Sequence, residues 1–198
     1  MTRLVVAITG ATGTIYGVRL LEVLRKQAGI ETHLVISRPG KRTLVEETDW
    51  SVAEVEALAT QRYDSNDIGA SIASGSFRTA GMVIAPCSIK TAAAVAACHS
   101  ENLIARAADV TLKEGRPLIM LVRETPLHVG HLKCMLALAE MGAVVLPPMP
   151  AFYNRPRELD DIVNHTIARV LDRLGLPQNL VPEWQGAHPR VSAGPLGA

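Results

Sequence analysis

Arg123 and Glu124 place a fixed cation beside a carboxylate, directly after an almost wholly apolar run at residues 117–122. Such a run is what a central parallel strand with both faces covered requires. In open α/β sheets, ligands bind in the crevice beyond the carboxyl ends of the strands. The pair therefore suits work on an anionic group such as a phosphate, although an ordinary surface ion pair would need the same two residues. Two hydroxyl-bearing turns stand at comparable places. Thr9-Gly10-Ala11-Thr12-Gly13 follows an apolar run at residues 4–8 and opens a helical pattern. Glycines there admit a ligand close to the backbone, and helix N–H groups favour a phosphate. The spacing of Gly10, Gly13 and Gly17 departs from the G-x-G-x-x-G dinucleotide fingerprint, and the second strand ends in Ser37-Arg38 without a carboxylate for a ribose. NAD is disfavoured and a mononucleotide such as FMN fits better; a tight turn without ligand is the plainer alternative. The second turn is Pro86-Cys87-Ser88-Ile89-Lys90-Thr91, whose Ser88 and Thr91 are equally suited to capping a helix or holding a phosphate. Ala73-Ser74-Gly75-Ser76 adds a further cradle of hydroxyls and amides.

Arg106, Asp109 and Lys113 recur at i, i+3 and i+7 on one helical pattern, as an exposed salt-bridge ladder would, yet that helix leads into the strand ending at Arg123. Arg169 projects roughly 20° from Ile162, beside the apolar stripe of the last helix, where a charge needs a partner, an interface or a snorkelling stem. Residues 147–154 hold three prolines and then Phe152 and Tyr153. In a chain with only 4% aromatics, that pair suits a wall for a flat or unsaturated ligand, or else a satellite hydrophobic cluster. His128 and His131 are i, i+3 but no third ligand is evident, so no metal site is expected.

The elements that must position these residues alternate from the start. Strand patterns fall at residues 4–8, 32–36, 82–85, 117–122 and 143–146. Helical patterns fall at 13–27, from about 42 with Asp49 or Ser51 as a later N-cap, at 91–98, 102–114 and 128–140, and from Leu159 to a stop at Gly175. Alternation of this kind argues for one doubly wound parallel sheet, an α/β sandwich spanning residues 1–176. Residues 177–198, rich in Pro, Gly and Ala, read as a C-terminal tail suited to an intersubunit arm, with Trp184 reaching a neighbouring subunit.

Length and composition bound the rest. A chain of 198 residues buries a real core. With 20 basic and 19 acidic residues, it carries no footprint for nucleic acid or an anionic membrane. Cys87, Cys98 and Cys134 do not form a disulfide framework, no apolar run approaches a membrane span, and a reduced, cytoplasmic compartment is expected.

Taken together, TGATG, Glu47 to Asp49 (ETD), ASGS, PCSIKT, RAADVTLKEGRPL, VRETP and PPMPAFYNRP resemble the flavin prenyltransferases of the UbiX type, in that family's order across about residues 3–185. The chain looks especially like the subunits that accompany phenolic-acid decarboxylases. The resemblance implies a flavodoxin-like Rossmann fold and a homo-oligomer, commonly a dodecamer, with sites between subunits. It implies metal-independent transfer of a dimethylallyl group from dimethylallyl phosphate, or the pyrophosphate, to N5 and C6 of reduced FMN. The product, prenylated FMN, would serve a UbiD-type decarboxylase. Gly10, Ala11, Thr12, Ser37, Ser88, Thr91 and Arg123 match its flavin positions, while Ser74, Arg106, Lys113, Arg123, Glu124, Tyr153 and Arg169, with Trp184 in the tail, match the donor side. Glu47 matches an acidic residue linked to proton handling during ring closure, and Thr12, Lys113 and Glu124 complete the implied catalytic set. Ile68 stands where some members have tryptophan, and Gly130, Lys133 and Cys134 depart from the pattern after VRETP. A flavoprotein cysteine decarboxylase, or a non-catalytic FMN-binding accessory subunit, would share much of this plan.

Overall fold

The computed structural model describes residues 1–183 and Gly186. Six strands, β1 (Thr2–Ile8), β2 (Ile30–Ile36), β3 (Gln61–Tyr63), β4 (Gly81–Cys87), β5 (Leu118–Val122) and β6 (Val144–Val145), form one sheet in the order β3-β2-β1-β4-β5-β6. Every neighbouring pair is parallel. The chain winds outward from β1 on one side and, after crossing back, from β4 on the other, so the order reverses between β1 and β4. That reversal opens a crevice at the carboxyl ends of the two central strands.

Both faces of the sheet are covered, which is why the central strands are near-continuous apolar runs. On one face Leu4, Val6 and Ile8 pack against α1 (Thr14–Arg25), α2 (Arg38–Glu47), α3 (Val52–Glu56) and α7 (Leu159–Arg173). On the other, Val5, Ala7, Ile84 and Met120 meet α4 (Ile89–Ala96), α5 (Leu103–Lys113), α6 (Val129–Glu140) and a short 3-10 turn, Ser71–Ala73. Gly17 lets α1 lie directly on the strands: a Cβ there would stand 2.3 Å from the Ala85 carbonyl oxygen.

Several elements differ from the sequence expectation. The helix placed from about residue 42 begins at Arg38, because the Ser37 side chain accepts from Gly40 N and Pro39 suits the first turn. Of the two caps expected for the next helix, Asp49 or Ser51, it is Ser51 that caps α3, in a reciprocal capping box with Glu54. The strand expected over residues 143–146 pairs only at Val144–Val145. β3, a three-residue edge strand, was not anticipated. Leu176 and Leu180 pack against the α1 face, and Gln27 Nε2 donates to the Pro177 carbonyl at 2.9 Å.

Candidate active site

At the β1–β4 crevice the two hydroxyl-rich turns are stitched together. Thr9, fully buried, donates from Oγ1 to the Pro86 carbonyl (2.8 Å) and accepts from Ser88 N (2.7 Å). Gly10 passes so close to the start of α2 that a Cβ there would lie 2.5 Å from Pro39 Cβ. Ser37 N donates to the Ile8 carbonyl at 3.0 Å, which brings the Ser37 turn alongside the end of β1. Ser88 caps α4 by accepting from Thr91 N (3.3 Å), and its hydroxyl lies 3.1 Å from Thr91 Oγ1. The capping role of Ser88 is thus present, and only one of the two hydroxyl protons is needed between Ser88 and Thr91. Arg123 N donates to the Cys87 carbonyl at 3.0 Å, so β5 delivers Arg123 to the rim of the same crevice.

Arg123 and Glu124 do not form the surface ion pair that their adjacency allows. The Arg123 side chain is exposed and has no carboxylate within ion-pair distance among the described residues. Glu124 accepts instead from Thr125 N at 3.0 Å. A solvent-facing guanidinium with no carboxylate partner among the described residues, carried on the strand end that bonds the Cys87–Ser88 turn, suits the phosphate of a mononucleotide such as FMN.

The N-terminus of α1 corrects one expectation. Its amides are not open to a ligand phosphate, because Glu47, at the end of α2, fills that position. Glu47 Oε2 accepts from Gly13 N (2.8 Å), Thr14 N (3.3 Å) and Thr14 Oγ1 (3.3 Å). Burial pushes the Glu47 carboxyl up, but the hydrogen bonds from the Thr12 hydroxyl and from Gly13 and Thr14 outweigh it, and the group titrates below the usual carboxylate range. Gly10, Ala11 and Thr12 complete the turn between β1 and α1, with the Thr12 hydroxyl on Glu47.

The donor-side candidates fall into two further groups. Along α5, Arg106 Nε donates to the Ala73 carbonyl (3.2 Å) and its NH1 to Asp109 (2.9 Å). Lys113 pairs with Glu114 and not with Asp109, so the expected ladder stops after its first rung. A Cβ on Gly75 would stand 2.9 Å from Lys113 Nζ, which places that ammonium against the Gly75 backbone, between Ser74 and Ser76, whose hydroxyls lie 2.9 Å apart. The second group lies on α7. Tyr153 Oη is 2.8 Å from His165 Nε2, with the rings edge to face, and Arg169 is exposed with Asp172 at 2.7 Å. Burial first, then Arg169, push the His165 imidazole below its ordinary value, against the opposing pull of Asp172. His165 was not among the sequence candidates, although it stands four residues before Arg169 and so shares its helix face. Phe152 is exposed, and Trp184 lies outside the described residues.

These groups do not converge within one chain. Ser74, Arg106 and Lys113 belong to the face covered by α5, whereas Arg169 belongs to the opposite face, covered by α7. Because α5 runs back to the amino end of β5, Lys113 also lies at the far end of the sheet from Arg123. One phosphate can meet all of them only where copies of the chain adjoin.

A family model described as Flavoprotein matches residues 1–171. The flavin prenyltransferase UbiX of Escherichia coli (strain K12) is 58% identical over 189 residues, covering 94% of this chain and 100% of that protein. Among solved structures, a dodecameric FMN-dependent UbiX-like decarboxylase from Escherichia coli O157:H7 is 51% identical with a TM-score of 0.92, covering 93% of this chain and 100% of that one. AnUbiX (PadA1), solved in complex with FMN and dimethylallyl pyrophosphate, is 43% identical with a TM-score of 0.92, over 94% and 99% of the two chains. A peptidyl-cysteine decarboxylase, at 15% identity and a TM-score of 0.62, shares the fold alone.

Proposed function

The chain belongs to the flavoprotein family, among its UbiX flavin prenyltransferases, and from that premise we propose how its own residues carry out the reaction. It is a prenyltransferase that joins a dimethylallyl group to reduced FMN. When bound, reduced FMN supplies the nucleophilic N5 and C6 positions. The observation that carries the assignment of residues is Arg123, exposed and without a carboxylate partner among the described residues, on the strand end that bonds the Cys87 carbonyl next to the Ser88–Thr91 hydroxyls.

Gly10, Ala11, Thr12, Ser37, Ser88 and Thr91 hold the flavin at the crevice, with Arg123 at the junction between flavin and donor phosphate. Breaking the allylic C–O bond leaves its electron pair on the departing phosphate. Ser74, Arg106, Lys113 and Arg169 supply fixed donors and positive charge where that negative charge grows, an electrostatic contribution of the preorganised kind. Glu124 orders the loop beside them, and Tyr153, oriented by His165, closes the site. Two protons leave the flavin, from N5 and C6; one is taken up by the middle carbon of the prenyl double bond as the ring closes, and the other goes to the released phosphate, whose second pKa is about 6. Glu47, held below the ordinary carboxylate range by four hydrogen bonds, is the weaker base and organises the first turn instead.

A homo-oligomer assembles the site, and a dodecamer is the arrangement we favour, as in the UbiX-like structure from Escherichia coli O157:H7. The prenylated flavin then serves a UbiD-type decarboxylase. A cytoplasmic setting is supported by three free cysteines and by the lack, among the described residues, of any helix long and apolar enough to cross a membrane.

Anaerobic incubation with reduced FMN and dimethylallyl phosphate, followed by mass spectrometry of the flavin, tests this reading. A flavin carrying one added prenyl group is expected. Recovery of unmodified FMN alone, with the pyrophosphate donor tested in parallel, would favour the non-catalytic accessory role.

A further inference from the structure

His33 is buried on β2, on the face covered by α5, and the activity described so far gives it no task. Its Nδ1 lies 2.9 Å from Tyr63 Oη, and Tyr63 Oη lies 2.8 Å from Ser71 Oγ. The other side of the ring meets Phe77 edge-on, with centroids 5.2 Å apart. Ser71 and Phe77 bracket the segment that carries Ser74, Gly75 and Ser76. One buried imidazole therefore holds both ends of that segment.

The polarity of the chain is self-consistent. Burial first, opposed by Glu31 and assisted by Arg3, lowers the His33 pKa and keeps the ring neutral. Its Nε2 faces the Glu31 carboxylate at 3.4 Å, and since that group only accepts, the ring proton belongs on Nε2 and Nδ1 is the acceptor. Tyr63 then donates to His33 and accepts from Ser71. Arg3 lies over the Phe77 ring at 4.6 Å and bonds Glu31 at 3.1 Å, closing the network from the strand side. From the other side, α5 and the turn after it fix the segment's backbone: Arg106 takes the Ala73 carbonyl, and Arg116 takes those of Gly75 (2.7 Å) and Phe77 (3.0 Å). With its carbonyls committed inward, the segment presents the Ser74 and Ser76 hydroxyls outward, where both residues are exposed.

We propose that His33, acting through Tyr63 and Ser71 at one end and Phe77 at the other, is a positioning residue that sets the Ser74 hydroxyl for the donor phosphate. The inference rests on the assignment of Ser74 to the donor side. It is tested on the full-length oligomer with Tyr63→Phe and Ser71→Ala, which remove hydroxyls from half-buried or exposed residues and leave the packing of His33 in place. Each should raise the KM for dimethylallyl phosphate by about 3- to 10-fold, the loss of one hydrogen bond. The kcat at saturating donor and the affinity for FMN should not change. The double variant should be no worse than either single one, because both break the same chain. Ser74→Ala separates the two levels of the argument. A raised donor KM in Ser74→Ala but not in Tyr63→Phe would overturn the relay and leave the Ser74 assignment standing. An unchanged donor KM in Ser74→Ala would overturn the assignment and the relay with it. An equal loss of FMN affinity in Tyr63→Phe would mark a general loosening and also overturn the relay.

Discussion

Four donors converge on Glu47: the Gly13 and Thr14 amides and the Thr12 and Thr14 hydroxyls. A carboxylate so held is a poor proton acceptor but a strong tie between the end of α2 and the start of α1. Glu47→Ala should destabilise the protein by about 1 kcal/mol, as loss of a cap does, measured by denaturant unfolding. Glu47→Gln keeps an acceptor oxygen and should lose less. The sign of the pH dependence follows from the lowered folded-state pKa: the stabilisation by the ionised group is fully present above the unfolded pKa, about 4.3. It disappears as pH falls through the lower folded value. The stability gap between wild type and Glu47→Gln should therefore be widest near neutrality and close in acid; a gap independent of pH would contradict the anchoring role. Glu47→Gln should still form prenylated FMN in a single turnover, and accumulation of a flavin arrested before ring closure would return the role of base to Glu47. Residue identities made these candidates legible in the sequence, but not their partners. TGATG reads as an open anion site, and only the fold shows that the anion filling the start of α1 comes from residue 47.

At the scale of elements, legibility followed burial. β1, β2, β4 and β5 are apolar because helices cover both faces, so each was visible as a run. β3 reads Gln61, Arg62, Tyr63, an edge strand whose place is set by pairing with β2 and not by its own composition. The start of α2 was hidden because Pro39 and Gly40 read as breakers, whereas Pro is at home in a first turn. Gly17 offers a direct test of how the first helix is seated. Gly17→Ala puts a methyl group 2.3 Å from a backbone carbonyl of β4, which cannot step aside as a side chain could. We expect a loss of about 1–3 kcal/mol, with weakened FMN binding as α1 and its leading turn are pushed off the sheet. Wild-type stability and FMN affinity in that variant would mean that α1 does not position the crevice.

At the scale of the whole molecule, the described residues leave an apolar face uncovered. On α6, Val129, Leu132 and Leu136 are each more than half exposed and fall within about 60° of arc, with Lys133 about 40° beyond Val129 at its edge. Such a stripe on a lone chain is a mark of an interface, and this chain's donor-side residues need one. Leu136→Glu should lower the assembly mass measured by analytical ultracentrifugation and abolish prenyl transfer, while circular dichroism shows the fold retained. A full-size assembly in that variant would place the interface elsewhere. The separation of Lys113 from Arg169 by the full thickness of the sheet leads to the most direct test of the account. Lys113→Ala and Arg169→Ala should each cut turnover by about 10²-fold or more. When the two variants are co-assembled in equal amounts, each site draws Lys113 and Arg169 from different copies, and about a quarter of the sites are intact. Prenylated FMN formation by the mixture should therefore recover to about that fraction of wild type. Recovery no better than that of the single variants would show that one chain supplies both residues, and would contradict a site built between copies.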